Sequence, residues 1–459
     1  MPANDPGRPG QVLEQAPRSE RHALPDTTQR AHLRLHQIFA VAAGNALEFY
    51  DFLTFSFFSI QIGHSFFPES QTSHGLLFTL ATFGIGFATR PLGAILIGSY
   101  GDRAGRRPAM ILSFLLMGVA SLGLALTPSF ARIGAAAPIL LLLFRLLQGF
   151  ALGGEVGPST AYLVEAAPPD RRGLYVSIQS ATQDLAIVAA GIVGFVLSGV
   201  MSPSALDAWG WRLAFLVGVI IVPIGLWLRR SLPETLPGPD APASRAARPR
   251  IPVRLVALGL FMLGASTISG YVLSYMTTYA QDSLGMSPTL AFGATMVVGL
   301  AEASAALFSG ILSDRFGRRP VALAAFAALL VLAVPTFIVM NRAPGVAVVY
   351  AAMALLSLLV DLATVPVLIL IAESLPAAIR SATLATVYAV AIACFGGTTQ
   401  FILKWLIDVT GSPLAPAWYL TGAIVMGSCA TLMARESAPR KIAAMAGRGS
   451  SPDLPAPHN

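Results

Sequence analysis

The sequence predicts an all-α membrane protein of twelve transmembrane helices arranged as two pseudo-symmetric six-helix bundles. Three observations carry that expectation. Of 459 residues, 55% are hydrophobic and 12% charged, and the mean hydropathy is +0.68, which leaves too little polar surface to clothe a soluble globule of this size. The stretch Gly98-Ser-Tyr-Gly-Asp102-Arg103-Ala-Gly105-Arg106-Arg107 returns 212 positions later as Gly310-Ile-Leu-Ser-Asp314-Arg315-Phe-Gly317-Arg318-Arg319, each time at the end of an apolar run. Of the 30 Lys and Arg, 24 fall in the two ends and alternate loops, three (Arg132, Arg212, Arg342) on the other side, and three (Arg90, Arg145, Lys404) inside apolar runs. Such asymmetry puts both termini in the cytoplasm and demands an even number of crossings.

The elements follow in order. Residues 1–36 are polar, carry Pro and Arg, and lack an apolar h-region, so they are expected to be a disordered cytoplasmic tail and not a signal peptide. Twelve apolar runs follow, each near the length of about 20 residues that crosses the hydrocarbon core. In the first half they are 37–60, 75–99, 108–128, 138–163, 174–200 and 212–229. In the second they are 254–280, 289–312, 321–341, 346–371, 381–408 and 414–435. The bundles are therefore expected at 37–230 and 254–435, joined by a Pro-, Ala- and Arg-containing cytoplasmic linker at 231–253 and followed by a cytoplasmic tail at 436–459.

A net charge of +7 is explained by that orientation and needs no nucleic-acid partner. Cys394 and Cys429 lie in apolar runs without metal-ligand spacing and read as packing residues. No Gly-rich loop ending in Gly-Lys-Ser/Thr is present, so ATP is not the expected energy source. An ion gradient remains, with no cofactor beyond the coupling ion. Two like halves that can rock against each other suggest transport.

Charges at mid-membrane cost several kcal/mol unless paired or facing a wet cavity, so each is a functional candidate. Counting about 1.5 Å per residue from each span's middle puts Glu48 near the midplane, Asp51 a turn outward, Arg145 slightly further out and Arg90 a turn inward. Depth alone pairs Asp51 with Arg145 and Glu48 with Arg90, or the reverse. A carboxylate beside Arg145 can exchange a proton for an ion pair, releasing the Arg to an anionic substrate when protonated; a permanent structural salt bridge is the alternative. Arg145, Gln148, Glu155 and Ser159 share one arc of the fourth span. Glu155, well toward the cytoplasm, reads as a gate partner of Arg106 or Arg107 before a proton carrier. On the fifth span Gln179 with Gln183, and Ser180 with Asp184, stand one turn apart. On the seventh, Thr267, Tyr271, Ser274 and Thr278 share a face, with Tyr275 beside it. Gln179, Gln183, Tyr271 and Tyr275 suit a polar solute, whereas membrane Ser and Thr commonly satisfy backbone carbonyls. Glu302 and Asp361 lie near the midplane with no cation at their depth, and are expected either to hold protons or to bind cations.

The two Asp-Arg-x-Gly-Arg-Arg turns read as latches. Asp102 and Asp314 are suited to accept from the exposed N–H groups at helix starts of the opposite half, and Arg103, Arg106, Arg315 and Arg318 to pair with acids. Part of this basic content serves orientation.

These turns resemble the signature of the major facilitator superfamily, as do Arg145-Leu-Leu-Gln148-Gly149 and the loops Glu165-Ala-Ala-Pro168-Pro-Asp-Arg171-Arg172-Gly173 and Glu373-Ser-Leu-Pro376-Ala-Ala-Ile-Arg380. Gly44-Asn45-Ala-Leu-Glu48-Phe-Tyr50-Asp51-Phe52, Arg90-Pro91-Leu-Gly93, Gly153-Gly154-Glu155 and Arg229-Arg230-Ser-Leu-Pro233-Glu234-Thr235 resemble its metabolite:proton symporter branch, specifically the citrate and tricarballylate carriers. The resemblance spans about residues 37 to 435. It implies a monomeric carrier in the inner membrane of a bacterium, taking up a small carboxylate with protons by alternating access. Uptake of a zwitterion such as betaine or proline, or drug efflux, is the alternative. Six acids (Glu48, Asp51, Glu155, Asp184, Glu302, Asp361) outnumber the two buried arginines, which counts against a multiply anionic solute unless some are protonated or belong to the latches. An enzyme is not expected, since nothing supplies a nucleophile or metal site.

Overall fold

The computed structural model describes residues 46, 49–67, 74–104, 106–153, 160, 163–164, 167–230, 253–439 and 441–442. The expectations on Glu48, Glu155 and the side chains of Asp102, Arg103 and Arg106 lie outside the described residues. The described chain is a succession of helices. In α1, residues 49–57 lead into Ser59–Phe66. α2 is built of Gly75–Ile85, a tight turn Gly86–Thr89, and Arg90–Ala104. α3 is Arg106–Leu126, α4 Ala136–Leu152, α5 Arg172–Val200 and α6 Trp211–Arg230. In the second half α7 is Val253–Asp282, α8 Pro288–Phe316, α9 Arg318–Arg342 and α10 Val346–Ser374. α11 joins Ala377–Ala391 to Gly397–Thr410 through the π-helical turn Ile392–Gly396, and α12 is Ala415–Met433.

Eight of these (α2, α3, α5 and α7 to α11) are long and apolar enough by themselves to cross a bilayer. Helix is the form such sequences take because lipid offers the backbone no hydrogen-bond partner. Hydroxyls inside the spans follow the same logic: Thr54 donates to Tyr50 O at 2.7 Å, Thr267 to Leu263 O at 2.6 Å and Ser274 to Gly270 O at 3.1 Å. Large apolar side chains such as Leu92, Ile95, Val119, Val200, Val331 and Trp418 remain on the outside, as a lipid-facing surface requires.

Two apolar cores form, each centred on one half and reaching across into the other. Phe52, Phe55, Phe57, Phe58, Phe66 and Trp211 anchor the first, while Val298, Phe326, Leu329, Phe337, Leu356 and Leu420 lie in the second. Between the halves, α5 packs along α8, and α2 along α11. Both seams bring backbone against backbone. A methyl on Gly84 would strike the Gly397 carbonyl oxygen, and one on Gly173 would lie 2.5 Å from Gly310 O. Further side-chain contacts join the halves at the end remote from the Asp-Arg turns. Ser59 and Thr278 share a hydrogen bond of 2.8 Å, Gln400 donates to Ser56 at 2.6 Å, and the Phe58 and Phe292 ring centres are 4.7 Å apart.

Candidate functional site

α2 and α4 bring two guanidiniums to one buried place that faces the second half. Arg145 is fully buried and Arg90 is 3% exposed. Phe52 and Phe55 on α1, and Phe83 and Phe87 on α2, stand three and four residues apart, so each pair shares a helix face. The Arg145 guanidinium lies 4.3, 4.4 and 4.9 Å from the ring centres of Phe52, Phe55 and Phe83. That of Arg90 lies 4.8 and 4.7 Å from those of Phe52 and Phe87. Desolvated contacts of this kind contribute about 2 kcal/mol each and hold the cations without neutralising them. Tyr271 of α7 closes the cage from the other half, 5.9 and 5.3 Å from the Phe83 and Phe87 rings.

The hydrogen bonding of this pair is incomplete. Arg145 donates to Gln148 Oε1 at 2.6 Å and to Phe83 O at 3.4 Å. Its Nε, and Nε and Nη2 of Arg90, have no acceptor among the described residues. Buried donors left without acceptors, on two cations that repel each other, are expensive. The arrangement is suited to an anion with several acceptor oxygens.

The expected ion pair between Asp51 and Arg145 does not form. Asp51 is turned toward α3 and α6, beside Ser121, into space left by the missing side chain of Gly218. The two residues are instead linked indirectly, because Gln148 Nε2 donates to Ser121 Oγ at 3.1 Å. A polar chain thus runs from Asp51 through Ser121 and Gln148 to Arg145. Height along a helix, which sequence supplies, says nothing of rotation about its axis.

The remaining candidates separate. Gln179 accepts from Thr160 at 3.1 Å within the first half, and Gln183 is half-buried. Tyr275 is buried with its hydroxyl unpartnered among the described residues. Asp184, Glu302 and Asp361 come together across the α5–α8 seam. Lys404 pairs with Asp408 at 2.8 Å, one turn along its own helix, and also with Asp282 at 3.0 Å.

The Asp-Arg turn of the second half reaches across to the first. Asp314 accepts from Gly173 N at 2.9 Å and Leu174 N at 3.0 Å at the start of α5, which belongs to the first half. A carboxylate at a helix start satisfies orphan N–H groups and complements the helix dipole. Arg318 fixes that carboxylate at 2.6 Å and reaches Glu373 at 3.2 Å, while Arg172 approaches the same Glu373 at 4.0 Å across the seam. Arg315 takes no part: it is exposed, with its guanidinium 5.4 Å from the Phe316 ring. Glu436 accepts from Arg318 N at 2.9 Å and Arg319 N at 3.1 Å, and Ser437 donates to Glu373 at 2.7 Å. The segment just beyond α12 is therefore packed against the start of α9.

Sequence reasoning missed Ser121, the aromatic cage, and Glu373 with Glu436. The spacing of Phe52 with Phe55 and of Phe83 with Phe87 was a visible signal for the cage. Nothing local marks a serine on α3 as a link.

Residues 41–398 match the family model described as Major Facilitator Superfamily. A citrate-proton symporter of Klebsiella pneumoniae is 37% identical over 404 residues, 87% of this chain and 91% of that one. An alpha-ketoglutarate permease of Escherichia coli (strain K12) is 34% identical over 416 residues, 89% of this chain and 95% of that one. Among solved structures, a D-xylose-proton symporter superposes with a TM-score of 0.71 at 20% identity, covering 88% of this chain and 98% of that one, a likeness of fold.

Proposed function

Because the chain belongs to the major facilitator superfamily, we propose that it is a secondary active transporter that carries a small carboxylate, citrate-like or tricarballylate-like, together with protons by alternating access. The observation that carries this reading is the pair Arg90 and Arg145, buried among aromatic rings with N–H groups left over and no described carboxylate paired to them. The names of the two relatives, one a citrate-proton symporter and the other an alpha-ketoglutarate permease, support the same chemistry. The surplus of acids, which would oppose an anionic substrate if they lined the arginine site, loses force for four of the six. Asp51 faces α3 and α6, and Asp184, Glu302 and Asp361 gather at the α5–α8 seam.

In this proposal the anion's carboxylates take the free N–H groups of Arg90 and Arg145, with Gln148 and Tyr271 at the rim. Asp51 senses proton supply and acts on Arg145 through Ser121 and Gln148. The six-helix halves, 37–230 and 254–435, rock about the bound solute; the linker 231–253 and both tails, 1–36 and 436–459, lie in the cytoplasm. The Asp314 latch closes the cytoplasmic side. Inward protons supply about 2.3 kcal/mol per 100 mV of membrane potential, several tens of fold in solute concentration for each proton. The setting is the inner membrane of a bacterium, the protein acts as a monomer, and it requires no cofactor.

Purified protein in liposomes under an imposed pH gradient tests the reading. Labelled citrate should accumulate and be displaced by tricarballylate or 2-oxoglutarate, and not by betaine or proline. Displacement by betaine or proline alone selects the zwitterion alternative, and accumulation without a pH gradient overturns proton coupling.

A further inference from the structure

Close to mid-height, the α5–α8 seam has a second polar centre that the anion site does not use. A methyl on Gly299 would lie 2.9 Å from Asp184 O and 2.8 Å from a Val188 methyl, so at that crossing the two backbones touch. Glu302 follows Gly299 by one turn on the same face of α8, which sets it against Asp184 of the other half. Asp361 of α10 completes the group. Its carboxyl lies beside that of Asp184, and it accepts from Thr364 at 3.4 Å. Asp184 and Glu302 are 9% and 4% exposed, and Asp184 Oδ2, Glu302 Oε2 and Asp361 Oδ2 have no partner among the described residues.

Among the described residues no cation balances them. The charged groups that act on Asp184 are Asp361 and Glu302, and on Glu302 it is Asp361. Along their own helices the next titratable groups are Tyr175 on α5, Asp314 and Arg315 on α8, and Tyr350 and Glu373 on α10. These stand at least nine residues away, about 13 Å at the helical rise. The helices α6, α7, α9 and α11, which pack alongside, carry charged residues only near their ends. Among the described residues no three acids, His or Cys have the geometry to hold a metal ion. Three carboxyls gathered in one buried place without a described cation cannot all stay ionised, so protons have to remove most of their charge.

We propose that Asp184, Glu302 and Asp361 form one proton-holding cluster divided between the halves. It holds at least two protons while α5 and α8 are in contact and loses them to water when the halves part. Each proton the cluster holds is taken up by one carboxylate oxygen from water on one side of the membrane and returned to water on the other, so charge and atoms balance. The cluster is distinct from the anion site, and the duplication supports that division. Arg90 stands twelve residues before Asp102, and Glu302 twelve before Asp314, so corresponding places in the two halves carry a cation and an acid. The coupling role rests on the transport reading above; the protonation state does not.

The first test therefore needs no substrate. The full chain in lipid nanodiscs is followed by infrared spectroscopy in the carbonyl-stretch region of protonated carboxylic acids. Wild type should show signal at neutral pH that diminishes in Asp184→Asn, Glu302→Gln and Asp361→Asn; Glu302→Asp, which keeps the acid, should retain it. Signal absent from wild type, or unchanged by all three amide variants, overturns the proposal, and so does its abolition by sodium ions. The second test is transport in liposomes. With Glu302→Gln, accumulation of citrate driven by a pH gradient should fall about tenfold or more, while citrate counterflow stays within about twofold. Equal loss of both overturns the coupling role. Wild type that carries no citrate at all defeats the substrate assignment, while the infrared result still decides the cluster.

Discussion

At the scale of single residues, the arginine site depends on planar donors held in place by rings. Replacing Arg145 with Lys keeps the charge and loses the flat face and the fork. It should raise the KM for the transported anion by about ten- to a hundredfold, the equivalent of roughly 1.5–3 kcal/mol for a charge-assisted hydrogen bond, with initial uptake rates as the readout. Gly218 gives a stability test at the other end of the polar chain. A methyl there collides with Asp51 Oδ1, whereas Gly98 has open space around its missing side chain. Gly218→Ala should cost about 1–3 kcal/mol in thermal unfolding while Gly98→Ala leaves stability unchanged or improved. How much of the site could be read in the sequence follows from the same residues. Arg90, Arg145 and Gln148 announce themselves, since buried charge in an apolar run has few bland explanations. Asp51 announces itself equally and yet points elsewhere, because its direction is decided by an absent side chain on a helix 167 positions away.

At the scale of helices, the seams decide how the halves meet. That Asp314 bonds to the other half was legible because an acid in a duplicated turn has no role in setting orientation. Its acceptor position at Gly173 and Leu174 depends on α5 starting beside the end of α8, which pattern alone does not show. Gly173 is the sensitive point: an added methyl would lie 2.6 Å from Arg318 Nη1 and 2.7 Å from Asp314 Oδ1. Gly173→Ala is expected to separate the latch ends of α5 and α8, seen as a longer spin-label distance between them. Asp314→Asn, which weakens both hydrogen bonds to α5 without adding bulk, should shift the same equilibrium by about 1–2 kcal/mol, roughly five- to thirtyfold in population. An unchanged distance distribution in both variants would remove Asp314 from gating.

At the scale of the whole molecule, twelve spans and their grouping in halves were readable from hydropathy, charge and the 212-residue repeat, because the bilayer allows few alternatives. The convergence of α5, α8 and α10 on one acid cluster was not, since it joins residues 118 and 177 positions apart. For distance measurements the two native cysteines have to be replaced. Cys394 and Cys429, expected to be packing residues, are both exposed instead, so Cys394→Ser with Cys429→Ser should alter thermal stability by no more than about 0.5 kcal/mol, as for other surface substitutions.

The crossings at Gly84 with Gly397, and at Gly173 with Gly310, have a mechanical consequence. Where two helices meet through bare main chain there are few knobs to lift out of holes, so one half can glide over the other with little friction. At those crossings, closure is set by the discrete fastenings beside them. In a machine made this way, the resting posture can be reset by changing a single fastening.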